Sequence, residues 1–206
     1  MQLRYNFRIT PDDTAIPPED CPGTGDPDTT APTVHVDGLT DGDELSVAAR
    51  EQVSVSATDE TSEQPELVIE LDGKAVTAPV VLDGVDLLAG AHSITVSATD
   101  EAGNRTQQKI DFSVVAGWAN GTALIDRLAG EKLLPRSAPV TLRAHWRAAQ
   151  AETESGRTDQ AALELDRFSA TAGQISDARS RTALVDLARK SAQQLTSARH
   201  QEKRTT

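Results

Sequence analysis

Between Thr33 and Val115 the chain alternates apolar and polar residues. TVHVDG, DELSVAA, QVSVSATD, ELVIELDG, HSITVSATD and RTQQKIDFSVV each send every second side chain to one face, and a proline-broken stretch, VTAPVVLDG, lies among them. A period of two marks strands that bury one face and wet the other. About seven short strands with turn signals roughly every eight to twelve residues predict a β-sandwich of the immunoglobulin type. Two turns are specific. LDGK, Leu71 to Lys74, carries the Asp-Gly pair that favours a tight hairpin, and DEAGN, Asp100 to Asn104, offers Gly103 for a left-handed conformation.

After Gly117 the period changes to that of a helix. In TDQAALELDRFSATA the residues Ala161, Leu165, Phe168 and Ala172 recur at intervals of four, three and four, laying one apolar stripe along a helix, with Thr158 as its N-cap. A second helix from Pro139 to Glu154 carries Leu142, Trp146 and Ala149, and a third places Leu184, Leu187, Ala188, Ser191 and Leu195 on one side. A short helix, Ala123 to Ala129, precedes them and ends at Gly130. The breaks at Ser155-Gly156 and Ala172-Gly173 are short, which forces antiparallel neighbours and predicts a small bundle. Its core is expected from Leu142, Trp146, Leu163 or Leu165, Phe168, Ile175, Leu184 and Leu187.

The fold class that follows is mixed: an all-β immunoglobulin-like sandwich over 32–116, then a small all-α bundle over 117–200, with 201–206 as a disordered tail. Ahead of the sandwich, 11–31 form a linker. Six of the ten prolines fall between Thr10 and Thr33 among Asp, Thr and Gly, so this stretch has too little apolar surface to offset its chain entropy. Residues 1–10 hold LRYNFRI, where Leu3, Tyr5, Phe7 and Ile9 alternate with Arg4, Asn6 and Arg8. A single strand is not stable alone. It reads as the last strand of an upstream domain, as an addition to this module's own sheet, or as a free tail.

VSATDE occurs twice, at Val55–Glu60 and Val96–Glu101. The copies stand too close for each to belong to its own sandwich. They are expected as the second and sixth strands of one domain, with Val55, Ala57, Val96 and Ala98 facing a shared core and Asp59 and Asp100 at the same end.

Charge divides with the pattern. From His35 to Val115 there are 16 acidic residues against four basic ones; from Ala116 to Thr206 the count is 10 against 14, and the whole chain carries −12. An acidic sandwich and a mildly basic bundle with interspersed signs speak against nucleic acid as a partner. Cys21 is the single cysteine, so no internal disulfide and no cysteine zinc cluster is available. No apolar run is long enough to span a membrane, and MQLRYNFRITPDD lacks the apolar core of a secretory signal.

Glycine-rich phosphate loops, HExxH and GxSxG are absent from the sequence. His35, His92, His145 and His200 lack ligand-like spacing; His145 beside Trp146 reads as a helix-face residue or, more sharply, as part of a sugar-stacking platform. Carboxylate pairs are common: Asp41 and Asp43, Asp59 and Glu60, Asp83 and Asp86, Asp100 and Glu101. With aromatic residues at 3%, a glycosidase cleft between such pairs is not expected. Calcium suits them better, because it takes six to eight oxygens from carboxylates and loop carbonyls. Asp59, Asp100 and Glu101 are the candidate ligands. The competing reading is plain solvation of acidic loops.

DTTAPTVHVDGLTDGD, VSVSATDE, LDGK, GAHSITVSATDEAGN and the closing DFSV together resemble the bacterial Ig-like domains attached to secreted enzymes and surface proteins. Asp28, Ala31, Pro32 and Val34 carry the opening of that resemblance, and Gly90, His92, Val96, Ala98, Asp100, Ala102, Gly103 and Asn104 its penultimate hairpin. The helical end resembles the small FIMAH-type domain near the C-termini of secreted bacterial hydrolases, through Gly156, Ala161, Leu165 and Phe168. The resemblance implies a non-catalytic accessory or spacer module of an extracellular or cell-surface protein. Its partners would be a polysaccharide or protein at the cell surface, or an upstream catalytic domain. The alternatives are the C-terminal fragment of a secreted hydrolase whose catalytic domain lies upstream, and a calcium-dependent adhesion module.

Overall fold

The structure, a computed structural model, describes residues 27–205, with side chains through Ser197. The strand expected at Leu3–Ile9, most of the linker and Cys21 lie outside these residues. Eight strands come first. They are β1 (Thr33–Asp37), β2 (Glu44–Ser46), β3 (Arg50–Thr58), β4 (Glu66–Leu71), β5 (Lys74–Val76), β6 (Val80–Asp83), β7 (Gly90–Thr99) and β8 (Arg105–Val115), with a one-turn helix α1 (Gly84–Leu87) between β6 and β7. They form a three-stranded sheet ordered β1-β3-β6 and a five-stranded sheet ordered β2-β8-β7-β4-β5, and neither closes into a barrel. Eight strands stand where seven were expected because the proline-broken stretch divides. Pro79 has no N–H to give to a ladder; β5 before it stays with β4, and β6 after it crosses to β3 in the other sheet.

Both turns read from the sequence are hairpin corners. β4 and β5 pair through Leu71↔Lys74, and Asp72 and Gly73 both have positive φ, 51° and 73°. This is the left-handed pair that matches the twist of the flanking strands. β7 and β8 pair along their whole length, from Thr99↔Arg105 to Gly90↔Val114. The two VSATDE copies are the ends of β3 and β7, so they lie in different sheets. Their inward residues share one core: Val53, Val55, Val80 and Leu82 from one sheet meet Ile69, Ile94, Val96, Ile110 and Phe112 from the other. Each such aliphatic side chain contributes about 1.5–3 kcal/mol by leaving water.

Helices α2 (Gly121–Gly130), α3 (Ala138–Glu154), α4 (Thr158–Gly173) and α5 (Ala178–Thr205) follow. α5 runs on into 201–205, the stretch assigned from sequence to a tail. Thr158 is the first helical residue of α4, and Arg157 takes the cap position expected for it. α5 is capped by Asp177, which accepts the Ser180 N–H at 2.8 Å. Trp146 is fully buried at the centre of the helices, its ring 5.2 Å from that of Trp118 and 5.4 Å from that of Phe168. A Cβ on Gly121 would fall 2.0 Å from the Trp146 ring, so only glycine lets α2 begin there. Of the two leucines expected to compete for the core, Leu165 is buried and Leu163 is exposed.

The helices and sheets share a continuous hydrophobic cluster. Polar contacts pin its margin. Asn120 donates to Ser46 Oγ at 2.9 Å, and Arg127 donates to the Ala49 carbonyl at 2.9 Å and to Asp83 Oδ2 at 2.6 Å. Arg179 reaches the same Asp83 oxygen at 2.5 Å and also pairs with Asp86. Asp83, at the end of β6, therefore ties both α2 and α5 to the sheets.

Candidate metal centre

The ends of β3 and β7 point the same way, and the turns that follow them meet the residues leading into β1. In the turn after β3, Asp59 Oδ1 accepts the Thr61 N–H at 3.0 Å and the Ser62 N–H at 2.9 Å. This is the local hydrogen bonding that makes Asp a turn residue. The Ser62 and Thr61 amides hold the Asp59 carboxyl below its ordinary value. Asp59 is therefore ionised at neutral pH. Its other oxygen, Oδ2, is shielded from solvent and has no hydrogen-bond partner among the described residues.

In the turn after β7, Asp100 is 7% exposed and accepts from Asn104 twice, Oδ1 from the backbone N–H at 2.7 Å and Oδ2 from the side-chain amide at 2.8 Å. The same Asn104 amide donates to the Asp28 carbonyl at 3.1 Å, which draws the chain ahead of β1 into the turn. Ser62 Oγ accepts the Glu101 N–H at 3.0 Å and so fastens the two turns to each other. Thr61 Oγ1 lies within hydrogen-bonding reach of both Asp28 Oδ2 and Asp59 Oδ1. One hydroxyl has one proton, so it can satisfy only one of them at a time.

One oxygen from each of Asp28, Asp59 and Asp100 lies within 4.8 Å of the others. None of the ion pairs among the described residues involves these three carboxylates. Two like charges no farther apart than that repel by at least roughly 0.9 kcal/mol in water and roughly 3.5 kcal/mol at an effective dielectric of 20. Oxygens on opposite sides of a calcium ion stand about 4.6–5.2 Å apart, against about 4.0–4.2 Å for magnesium. Three oxygens no farther apart than 4.8 Å fit within the span of one calcium coordination sphere. An orphaned, shielded carboxylate oxygen within the cluster is the feature that a hard cation satisfies, whereas a solvated acidic loop leaves no oxygen in that state.

The sequence reading named Asp59, Asp100 and Glu101. The fold brings Asp59 and Asp100 together and adds Asp28, while Glu101 is exposed and joins through its backbone N–H only. Asp28 had a signal, since it opens the resemblance to Ig-like domains, but nothing in its local sequence marks it as a ligand. The remaining acidic pairs are committed elsewhere. Asp43 accepts the Thr40 N–H and hydroxyl, each at 2.7 Å; Asp41 accepts the Asp111 N–H at 2.9 Å; Asp83 and Asp86 hold the arginines of the helices.

The three histidines with described side chains stay apart. His35 lies beside the Thr58 hydroxyl, His92 hydrogen bonds Asp72 at 2.7 Å, and His145 hydrogen bonds Glu164 at 2.8 Å. The sugar-stacking platform at His145 and Trp146 is corrected by burial, because Trp146 has no exposed face to offer. No helix among the described residues is long and apolar enough to cross a membrane. The chain matches no protein-family model and no curated protein.

Proposed function

We propose that this chain is a non-catalytic accessory module of an extracellular or cell-surface protein. In this reading an immunoglobulin-like sandwich and a helical domain similar to the FIMAH type attach or space the parent protein. Calcium held by Asp28, Asp59 and Asp100 clamps the chain where it runs into β1. The carrying observation is the unpartnered Oδ2 of Asp59 inside a cluster of three carboxylates drawn from three separate segments. Three aspartates, each able to offer one or two oxygens, supply most of the coordination that calcium takes, and loop carbonyls or water supply the rest.

Thermal unfolding with calcium, with magnesium and with EDTA tests the site. Extracellular calcium modules bind at about 0.1–1 mM. Calcium at a hundredfold excess over its dissociation constant adds about 2.7 kcal/mol, which for a chain of this size is a rise of about 5–10 °C in Tm. Asp59→Asn removes the rise. A Tm unmoved by 10 mM calcium sinks the calcium part of the reading.

A further inference from the structure

The helical region carries a second surface. At the junction of α2 and α3 a cleft of about 650 Å³ is lined by Lys132, Leu134, Arg136, Pro139, Val140 and Arg143, among others, and no carboxylate lines it. Leu134 and Pro139 form a buried floor, while Val140 stands 70% exposed. Arg143 is shared with Asp126 at 2.6 Å. Lys132 and Arg136 are exposed, and no ion pair among the described residues involves either. Val140, Arg143 and Arg147 follow at intervals of three and four along α3, so the basic character continues beyond the cleft.

We propose that this cleft docks an extended acidic peptide segment that carries an aliphatic anchor. Lys132 and Arg136, which form no ion pair among the described residues, call for an anionic occupant, while Arg143 is already paired with Asp126. An exposed valine over an apolar floor calls for a small aliphatic group at its centre. No aromatic residue lines the cleft, so a sugar ring finds no stacking face there, and this favours peptide over acidic polysaccharide. The sandwich's own negative charge does not forbid the approach, since it is screened over about 8 Å at physiological salt.

The proposal rests on the reading of the chain as an attachment module and names its partner class. Its test is fluorescence polarisation on the full chain with a labelled peptide of glutamates flanking a central isoleucine. Polygalacturonate and inorganic phosphate serve as competitors, with and without calcium. The acidic peptide binds saturably and weakens with salt. K132E combined with R136E weakens it at least about tenfold and V140S about threefold, with circular dichroism and Tm unchanged because all three residues are exposed. Non-saturable binding, indifference to the charge reversals or to V140S, or polygalacturonate displacing the peptide more effectively than unlabelled peptide does would overturn it. Loss of the calcium response with peptide binding intact strikes only the metal reading; loss of peptide binding with the calcium response intact strikes only this one.

Discussion

Arg127 and Asp83 meet across the boundary between helices and sheets, Nη2 to Oδ2 at 2.6 Å, with side chains 13% and 6% exposed. The same guanidinium caps the Ala49 carbonyl, Arg179 binds the same Asp83 oxygen, and the Val85 N–H donates to the other. A pair this far from water is dangerous to break, because the survivor keeps its charge without compensation.

Asp83→Ala leaves Arg127 with Glu131, itself 35% exposed, as its remaining carboxylate partner. The expected loss is about 3 kcal/mol, at the low end for a buried pair because Arg179 stays partly hydrated. Urea unfolding measures it. Asp86→Ala, whose carboxylate is 56% exposed, is expected to cost under about 1 kcal/mol. Equal losses for the two variants would mean that the network does not lock the boundary.

Acid acts on the same group. Burial opposes ionisation of Asp83, but hydrogen bonds from Arg127, the Val85 N–H and Arg179, with the Arg127 charge, outweigh it and hold the carboxyl below its ordinary 3.8. A depressed carboxyl contributes stability that is fully present above the unfolded-state value and lost as pH falls through the folded-state one. Stability is therefore expected to decline below about pH 4, and Asp83→Ala to flatten that decline. An unchanged acid limb in the variant refutes the assignment.

Two glycines separate conformational need from packing need. Gly73→Ala meets no neighbour within 4 Å but must hold a φ of 73°, so about 1 kcal/mol is expected. Gly121→Ala drives a methyl into the Trp146 ring, and overpacking of this kind costs about 1–3 kcal/mol or more. Near-ultraviolet circular dichroism is expected to change for Gly121→Ala and not for Gly73→Ala.

At the carboxylate cluster, Asp28→Asn is expected to weaken the calcium-dependent rise in Tm, and Glu101→Gln to leave it within experimental error. A response lost in Glu101→Gln but kept in Asp28→Asn would reverse the ligand assignment.

Local chemistry made the strands, both hairpins and the helical stripes legible. Asp72-Gly73 can form one kind of tight turn, and Leu165 and Phe168 share a face in any helix. Sheet membership was not legible, because β5 and β6 look continuous except for Pro79. Nor was the full acidic cluster. Asp59 and Asp100 could be paired because identical strands precede them. Asp28 arrives through the Asn104 amide and the Thr61 hydroxyl, contacts between segments distant along the chain. Glu101 looked equivalent to Asp100, but the turn directs its carboxylate to solvent.

The carboxylate cluster and the Asp83 network lie at opposite ends of β3, since Thr58 pairs with Thr33 at one end and Arg50 with Asp83 at the other. The chain enters β1 at the first end and leaves β8 at the second. Tension between the flanking segments therefore runs along β1, and its five paired positions on β3 are loaded together in shear rather than peeled one at a time. A cation joining Asp28 to Asp59 and Asp100 would carry part of that load before the first ladder bond is strained, setting the force at which the module yields.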